Sequence, residues 1–157
     1  MKKTLLVLSF LIFVSFQVAP TMGALVEVTV ETNRPTYEFS EIPIVSVIAY
    51  NPNDYEVTLE YPTAYQADHI IDGTYVWSQG MVFAQVVTSV AIEPFGSWTW
   101  IQSRYSGEVL GLGWHSVVGT TYGITSAPVS FEVVPEPATV LLLGLGGLAL
   151  LRRRKTT

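Results

Sequence analysis

The chain of 157 residues contains no cysteine. Disulfide staples, zinc–thiolate sites and a cysteine nucleophile are therefore excluded, and any domain here must be held by its core alone. Histidine is nearly absent too. His69 and His115 lie in separate segments, and no His-x-x-x-His pair, Asp-x-Asp-x-Asp-Gly run, Gly-x-Ser-x-Gly elbow or phosphate-cradling glycine loop accompanies them. Catalysis needs a nucleophile with a base and an orienter, or a metal cluster. The expectation is a protein that is not an enzyme, with no cofactor and no metal. Cations are scarce where they would matter. Lys2, Lys3, Arg152, Arg153, Arg154 and Lys155 sit at the ends, which leaves Arg34 and Arg104 against twelve carboxylates over residues 25–134. So acidic a surface repels phosphate backbones, which argues against nucleic acid and for solubility, cationic partners or divalent ions. No internal segment sustains a helical period.

What is present begins with two apolar ends, and they account for most of a mean hydropathy of +0.39. Lys2 and Lys3 precede an apolar stretch over residues 5–14, the order of a signal peptide and too short to be a confident spanning helix. Residues 1–24 are read as that signal, with cleavage after Ala24 or after Gly23; an uncleaved N-terminal anchor is the alternative. At the other end, Val134-Pro135-Glu136-Pro137 is rigid and non-helical, because proline fixes φ and restrains the residue before it. Residues 138–151 form a leucine-rich apolar run, and Arg152, Arg153, Arg154 and Lys155 end it. Basic residues stay cytoplasmic, so the domain lies outside the inner membrane. As a helix, the run would be about 21 Å long, short of a hydrocarbon core of about 30 Å. A marginal transmembrane helix suits a temporary anchor, and an ordinary tail anchor is the competing reading.

Pro-Glu-Pro, a short apolar helix and a basic end, in that order, resemble the PEP-CTERM sorting signal of Gram-negative bacteria. The resemblance covers residues 134–157. It implies recognition by an exosortase, cleavage near Pro135-Glu136-Pro137, transient anchoring in the inner membrane, and transfer to the cell surface or release among extracellular polysaccharide and biofilm matrix.

Between the ends, residues 25–133 read as one domain. Val26, Val28 and Val30 alternate with polar partners, the period of a half-buried strand. Further strand signals fall at residues 44–50, 57–61, 70–77 with a break at Asp72-Gly73, 83–92, 98–102, 114–118 and 129–133. Seven to nine short strands separated by Gly, Pro and Asn turns predict an all-β, immunoglobulin-like antiparallel sandwich, flanked by the signal helix and the C-terminal transmembrane helix. Trp77, Trp98, Trp100 and Trp114 are expected to pack in it.

Within this domain, residues 51–119 resemble the intracellular proteinase inhibitor (BsuPI) family, which has an immunoglobulin-like fold. The residues that carry the resemblance are Thr63-Ala64 followed by Asp68, the run Trp77-Ser78-Gln79-Gly80-Met81-Val82-Phe83-Ala84-Gln85, the turn Ile92-Glu93-Pro94-Phe95-Gly96 with one residue inserted, and Gly113-Trp114-His115-Ser116-Val117-Val118-Gly119 with His115 where tyrosine is usual. Asp68, Trp77, Ser78, Phe83 and Gln85 are then structural motif residues. Ser78-Gln79-Gly80-Met81 reads as a hairpin turn with Trp77 and Phe83 at its base, and Asp68 as a buried carboxylate accepting backbone N–H bonds or, alternatively, as a contact residue. Gln79, Gly80 and Met81 are the candidate binding loop. A second loop over residues 103–113 carries Val109, Leu110 and Leu112, which either dock a partner or cap the core. Two functions remain open: a surface-displayed binding module, with a protease as partner, or a structural or adhesion protein that meets extracellular polysaccharide.

Overall fold

The computed structural model describes residues 25–137 and 142–143. The signal segment 1–24, most of the apolar run 138–151 and the basic cluster Arg152, Arg153, Arg154 and Lys155 lie outside the described residues. Among the described residues no helix is long and apolar enough to cross a membrane.

The domain is all-β. Its strands are β1 (Glu27–Thr32), β2 (Thr36–Glu38), β3 (Val45–Tyr50), β4 (Val57–Tyr61), β5 (Ala67–Ile71), β6 (Tyr75–Val76), β7 (Thr88–Ile92), β8 (Ser97–Gln102), β9 (Gly113–Thr121), β10 (Ile124–Thr125) and β11 (Val129–Val134). A helical turn, α1, spans Gly107–Leu110. One sheet has the order β1-β3-β8, a larger one β2-β11-β9-β5-β6 with β10 added to β9, and β4 pairs with β7 alone. The first two sheets face each other closely at Gly119 on β9. A Cβ there would stand 3.1 Å from the Val47 methyls of β3 and 3.2 Å from Cβ of Val30 on β1. Alternation fills the space between them: Val28 and Val30, Val45, Val47 and Ala49, and Val117, Phe131 and Val133 all point inward and are buried.

The expectation of seven to nine antiparallel strands is corrected in two respects. The described residues hold eleven strands, and β2 pairs with β11 in parallel, Tyr37 beside Val133. The added elements are short: β2 has three residues and β10 two, too few to show a period. The strand expected over residues 83–92 begins only at Thr88. Its partner β4 ends at Tyr61, opposite Thr88, and the next residue is Pro62, which has no N–H to continue the ladder. Residues 83–87 therefore run free of a strand partner.

The tryptophans are corrected as well. Trp77 and Trp100 are partly buried, but Trp98 on the edge strand β8 and Trp114 on β9 are exposed, Trp114 to 70%. On β9 the alternation places the neighbouring His115 inside, its ring 5.4 Å from that of Phe131, and so turns Trp114 out.

Candidate functional site: a pinned loop over residues 77–87

Strand β5 places Asp68 beside Thr120 of β9, and the Asp68 side chain is almost completely buried. A buried carboxylate must be paired, and this one is paired four times. It accepts the His69 N–H at 2.8 Å, the Ser78 N–H at 3.2 Å, the Ser78 hydroxyl, and the Tyr65 hydroxyl at 3.0 Å. Asp68 thus joins its own strand to the segments on either side of it. Burial, and next the carboxylate it donates to, push the Tyr65 hydroxyl above its ordinary pKa.

From this anchor the chain makes a compact turn. Trp77 N–H donates to the His69 carbonyl at 3.0 Å, Gln79 N–H to Val76 at 3.1 Å, and Met81 N–H to Ser78 at 2.9 Å. Gly80 sits at φ +74°, the left-handed region that glycine enters without a Cβ clash. The turn is real, but it is not a hairpin: β6 precedes it and no strand follows until β7. Its base is aromatic. The Phe83 ring lies 6.1 Å from Trp77 and 5.1 Å from Tyr65. Arg104 donates to the Trp77 carbonyl and so ties the turn to the segment after β8. Ala64 N–H reaches the Ala84 carbonyl at 2.9 Å and fixes the far side of the loop. Gln85 is exposed and donates only to the Phe83 carbonyl at 3.2 Å, a local bond rather than a packing role.

What this frame presents outward is Gln79, Gly80, Met81 and, above all, Val82, which is 98% exposed. Val82 was not among the residues singled out from the sequence. An aliphatic residue between Met81 and Phe83 looks like core until the missing strand partner is known. Beside the loop runs a groove of about 560 Å³ lined by Tyr61, Pro62, Tyr65, Gln66, Thr121 and Tyr122. Its floor is ordered by the Tyr61 and Thr121 hydroxyls, 2.9 Å apart, and by Thr121 donating to the Gln66 carbonyl at 2.7 Å.

The other singled-out residues lie elsewhere. His69 is buried, its Nδ1 2.8 Å from Oε1 of Gln102, and burial lowers its pKa. His115 bridges Asp72 Oδ2 at 2.7 Å and the Gly111 carbonyl at 3.0 Å. The histidines are thus spent separately on structure. The loop over residues 103–113 divides: Leu110 caps the core, while Val109 and Leu112 are exposed. In the turn Glu93-Pro94-Phe95-Gly96 the inserted Phe95 takes φ +55°. Pro135 and Glu136 of the sorting motif border a small cavity with Phe39 and Leu112, and Val134 is the last residue of β11.

A family profile described as intracellular proteinase inhibitor, BsuPI, matches residues 26–122. A second, the PEP-CTERM protein-sorting motif, matches residues 133–155. That motif implies export, recognition by an exosortase and anchoring at the C-terminus. No curated protein matches. Among solved structures, an alkylpurine DNA glycosylase (AlkC) from Pseudomonas fluorescens is 18% identical, with 71% of this chain and 31% of that one covered and a TM-score of 0.44. A β-glucosidase from Erythrobacter marinus is 11% identical over 69% of this chain and 16% of that one, with a TM-score of 0.42. A β-glucosidase from Listeria innocua is 14% identical over the same shares, with a TM-score of 0.40. The chain thus spans less than a third of the length of these proteins. With the profile running from β1 into the turn after β9, the chain belongs to the intracellular proteinase inhibitor (BsuPI) family, and its domain is followed directly by a PEP-CTERM sorting motif.

Proposed function

We propose that this protein is an exported, exosortase-processed binding module of immunoglobulin-like sandwich architecture, not an enzyme, whose loop 79–87 docks into the cleft of a proteinase. The observation that carries this reading is Val82: an apolar side chain wholly in solvent, at the tip of a loop held on one side by the buried Asp68 carboxylate and on the other by the Ala64 N–H, which donates to the Ala84 carbonyl. Ordering a loop on binding costs about 0.5–1.5 kcal/mol per immobilised side chain. A loop already pinned avoids part of that cost. Membership of an inhibitor family supports the same reading.

The test is inhibition of a panel of serine proteinases by the purified full chain, with Val82→Asp and Met81→Ala variants alongside. Saturable inhibition, weakened about tenfold or more by Val82→Asp, a loss of about 1.4 kcal/mol, is the expected result. No inhibition at micromolar concentration would overturn it. The second reading is a structural or adhesion protein of the polysaccharide matrix. It is favoured by the charge: Arg34 is paired with Glu41 at 3.0 Å, and Arg104 is engaged by Trp77, so most surface carboxylates keep no cationic partner within the domain. Retention of the chain by extracellular polysaccharide, in the absence of proteinase inhibition, would select it.

A further inference from the structure

We infer that the end of the domain from which the sorting tail emerges is a lipid-docking face, which rests on the membrane while the protein is anchored. This rests on the reading of residues 138–151 as a membrane anchor. Gly113 pairs with Val133 and Trp114 with Glu132, so the start of β9 lies beside the end of β11. Around that point several large apolar side chains are exposed. Trp114 is 70% exposed, Leu112 56% and Val109 52%, and Leu112 shares a cavity with Pro135. Ile42, 48% exposed, follows Glu41, whose carbonyl accepts the Gly107 N–H of α1 at 2.9 Å. Gly107 itself packs on Val133 and Phe39. Two separate segments, 109–114 and the one holding Ile42, thus bring exposed apolar side chains to the place where the chain leaves the fold.

The occupant is set by the length of chain that follows. β11 ends at Val134 and the apolar run begins at Ala138. Four residue steps span at most about 14 Å when fully extended. The headgroup layer of one leaflet is itself about 5–8 Å deep. A domain on so short a tether cannot turn this end away from the bilayer. Tryptophan and leucine side chains favour the headgroup boundary, where an indole meets both apolar and polar surroundings. Glu108, Glu132 and Glu136 stand among the apolar residues, so the headgroups that fit are zwitterionic rather than anionic.

The absence of cysteine makes the test direct, since each introduced cysteine is a unique labelling site. Full chains carrying Leu112→Cys, Trp114→Cys or, near the other end of β9, Ser89→Cys are labelled with a polarity-sensitive fluorophore. They are then reconstituted into vesicles of phosphatidylcholine and phosphatidylethanolamine. Labels at positions 112 and 114 should be quenched by aqueous iodide about threefold less than the label at 89, as expected of an interfacial site. Equal quenching at all three positions, in chains that float with the vesicles, would overturn the proposal alone. Chains that fail to float would overturn the anchor reading and the proposal with it. Protection at 112 and 114 that vanishes as protein is diluted in excess lipid would assign the face to a second copy of the chain and overturn lipid docking.

Discussion

At the residue scale, Asp68 carries the most consequence. Four donors converge on one buried carboxylate. Asp68→Ala would leave the Tyr65 hydroxyl and the Ser78 N–H and hydroxyl without their acceptor, and a stranded buried donor costs about 1–3 kcal/mol. The expected loss is about 3 kcal/mol in urea unfolding, with a smaller loss of about 1 kcal/mol for Ser78→Ala, where Tyr65 and His69 keep their bonds. His69 sets the acid limb of stability. Burial lowers its folded-state pKa, so above the unfolded value of about 6.5 both states are neutral and nothing is lost. As pH falls below that value, the unfolded chain takes a proton that the folded core refuses. Stability should decline as pH falls below about 6.5, measured as a falling urea midpoint that a neutral His69→Gln variant no longer shows. Asp68 was legible in the sequence as a lone carboxylate among apolar neighbours. Val82 and Trp114 were not, because side-chain type alone does not say which of two adjacent large residues turns outward.

The elements show where periodicity suffices and where it fails. β1 and β4 were readable because each alternates over five or six residues, and β3 because its run is β-branched and apolar. β2 was not, having a single inward residue, Tyr37, which is recognisable only once its ring is seen edge-on to Phe131 at 5.6 Å. The stretch 83–87 has the composition of a strand without the partner that makes one. α1 survives for a different reason. A Cβ at Gly107 would stand 2.6 Å from the Phe39 carbonyl oxygen and 2.7 Å from a Val133 methyl. Gly107→Ala should therefore push α1 off β11 and destabilise the domain by about 1–3 kcal/mol, the usual range for overpacking, read as a lower melting temperature. Because α1 carries Val109, the same variant should also loosen the face beside Pro135.

For the whole molecule, the β domain and the sorting tail after it were legible, because each rests on a long run of sequence rather than on single positions. What the sequence could not give was polarity. Asp68 stands opposite Thr120 and the tail leaves beside Gly113, a separation of about 23 Å along β9. The loop that displays Val82 therefore lies towards one end of the large sheet and the sorting motif at the other. Replacing Pro135, Glu136 and Pro137 with alanine should leave the chain unprocessed in the inner membrane, seen by fractionation as a full-length band; unchanged processing would remove exosortase dependence from the account.

The position of β11 also decides how the domain bears mechanical load. It lies between β2, which runs parallel to it, and β9, which runs antiparallel, and its last residue is the first of the sorting motif. A pull arriving through the tail, with a partner gripping the loop near Val82, is directed along the strand. The hydrogen bonds on both flanks of β11 are then strained together in shear instead of being opened one after another. A single-molecule pull between residues 82 and 137 should meet a higher rupture force than one between 25 and 82, which peels the edge strand β1. The sorting tail thus continues an interior strand of the larger sheet, so a load on it is shared between β2 and β9.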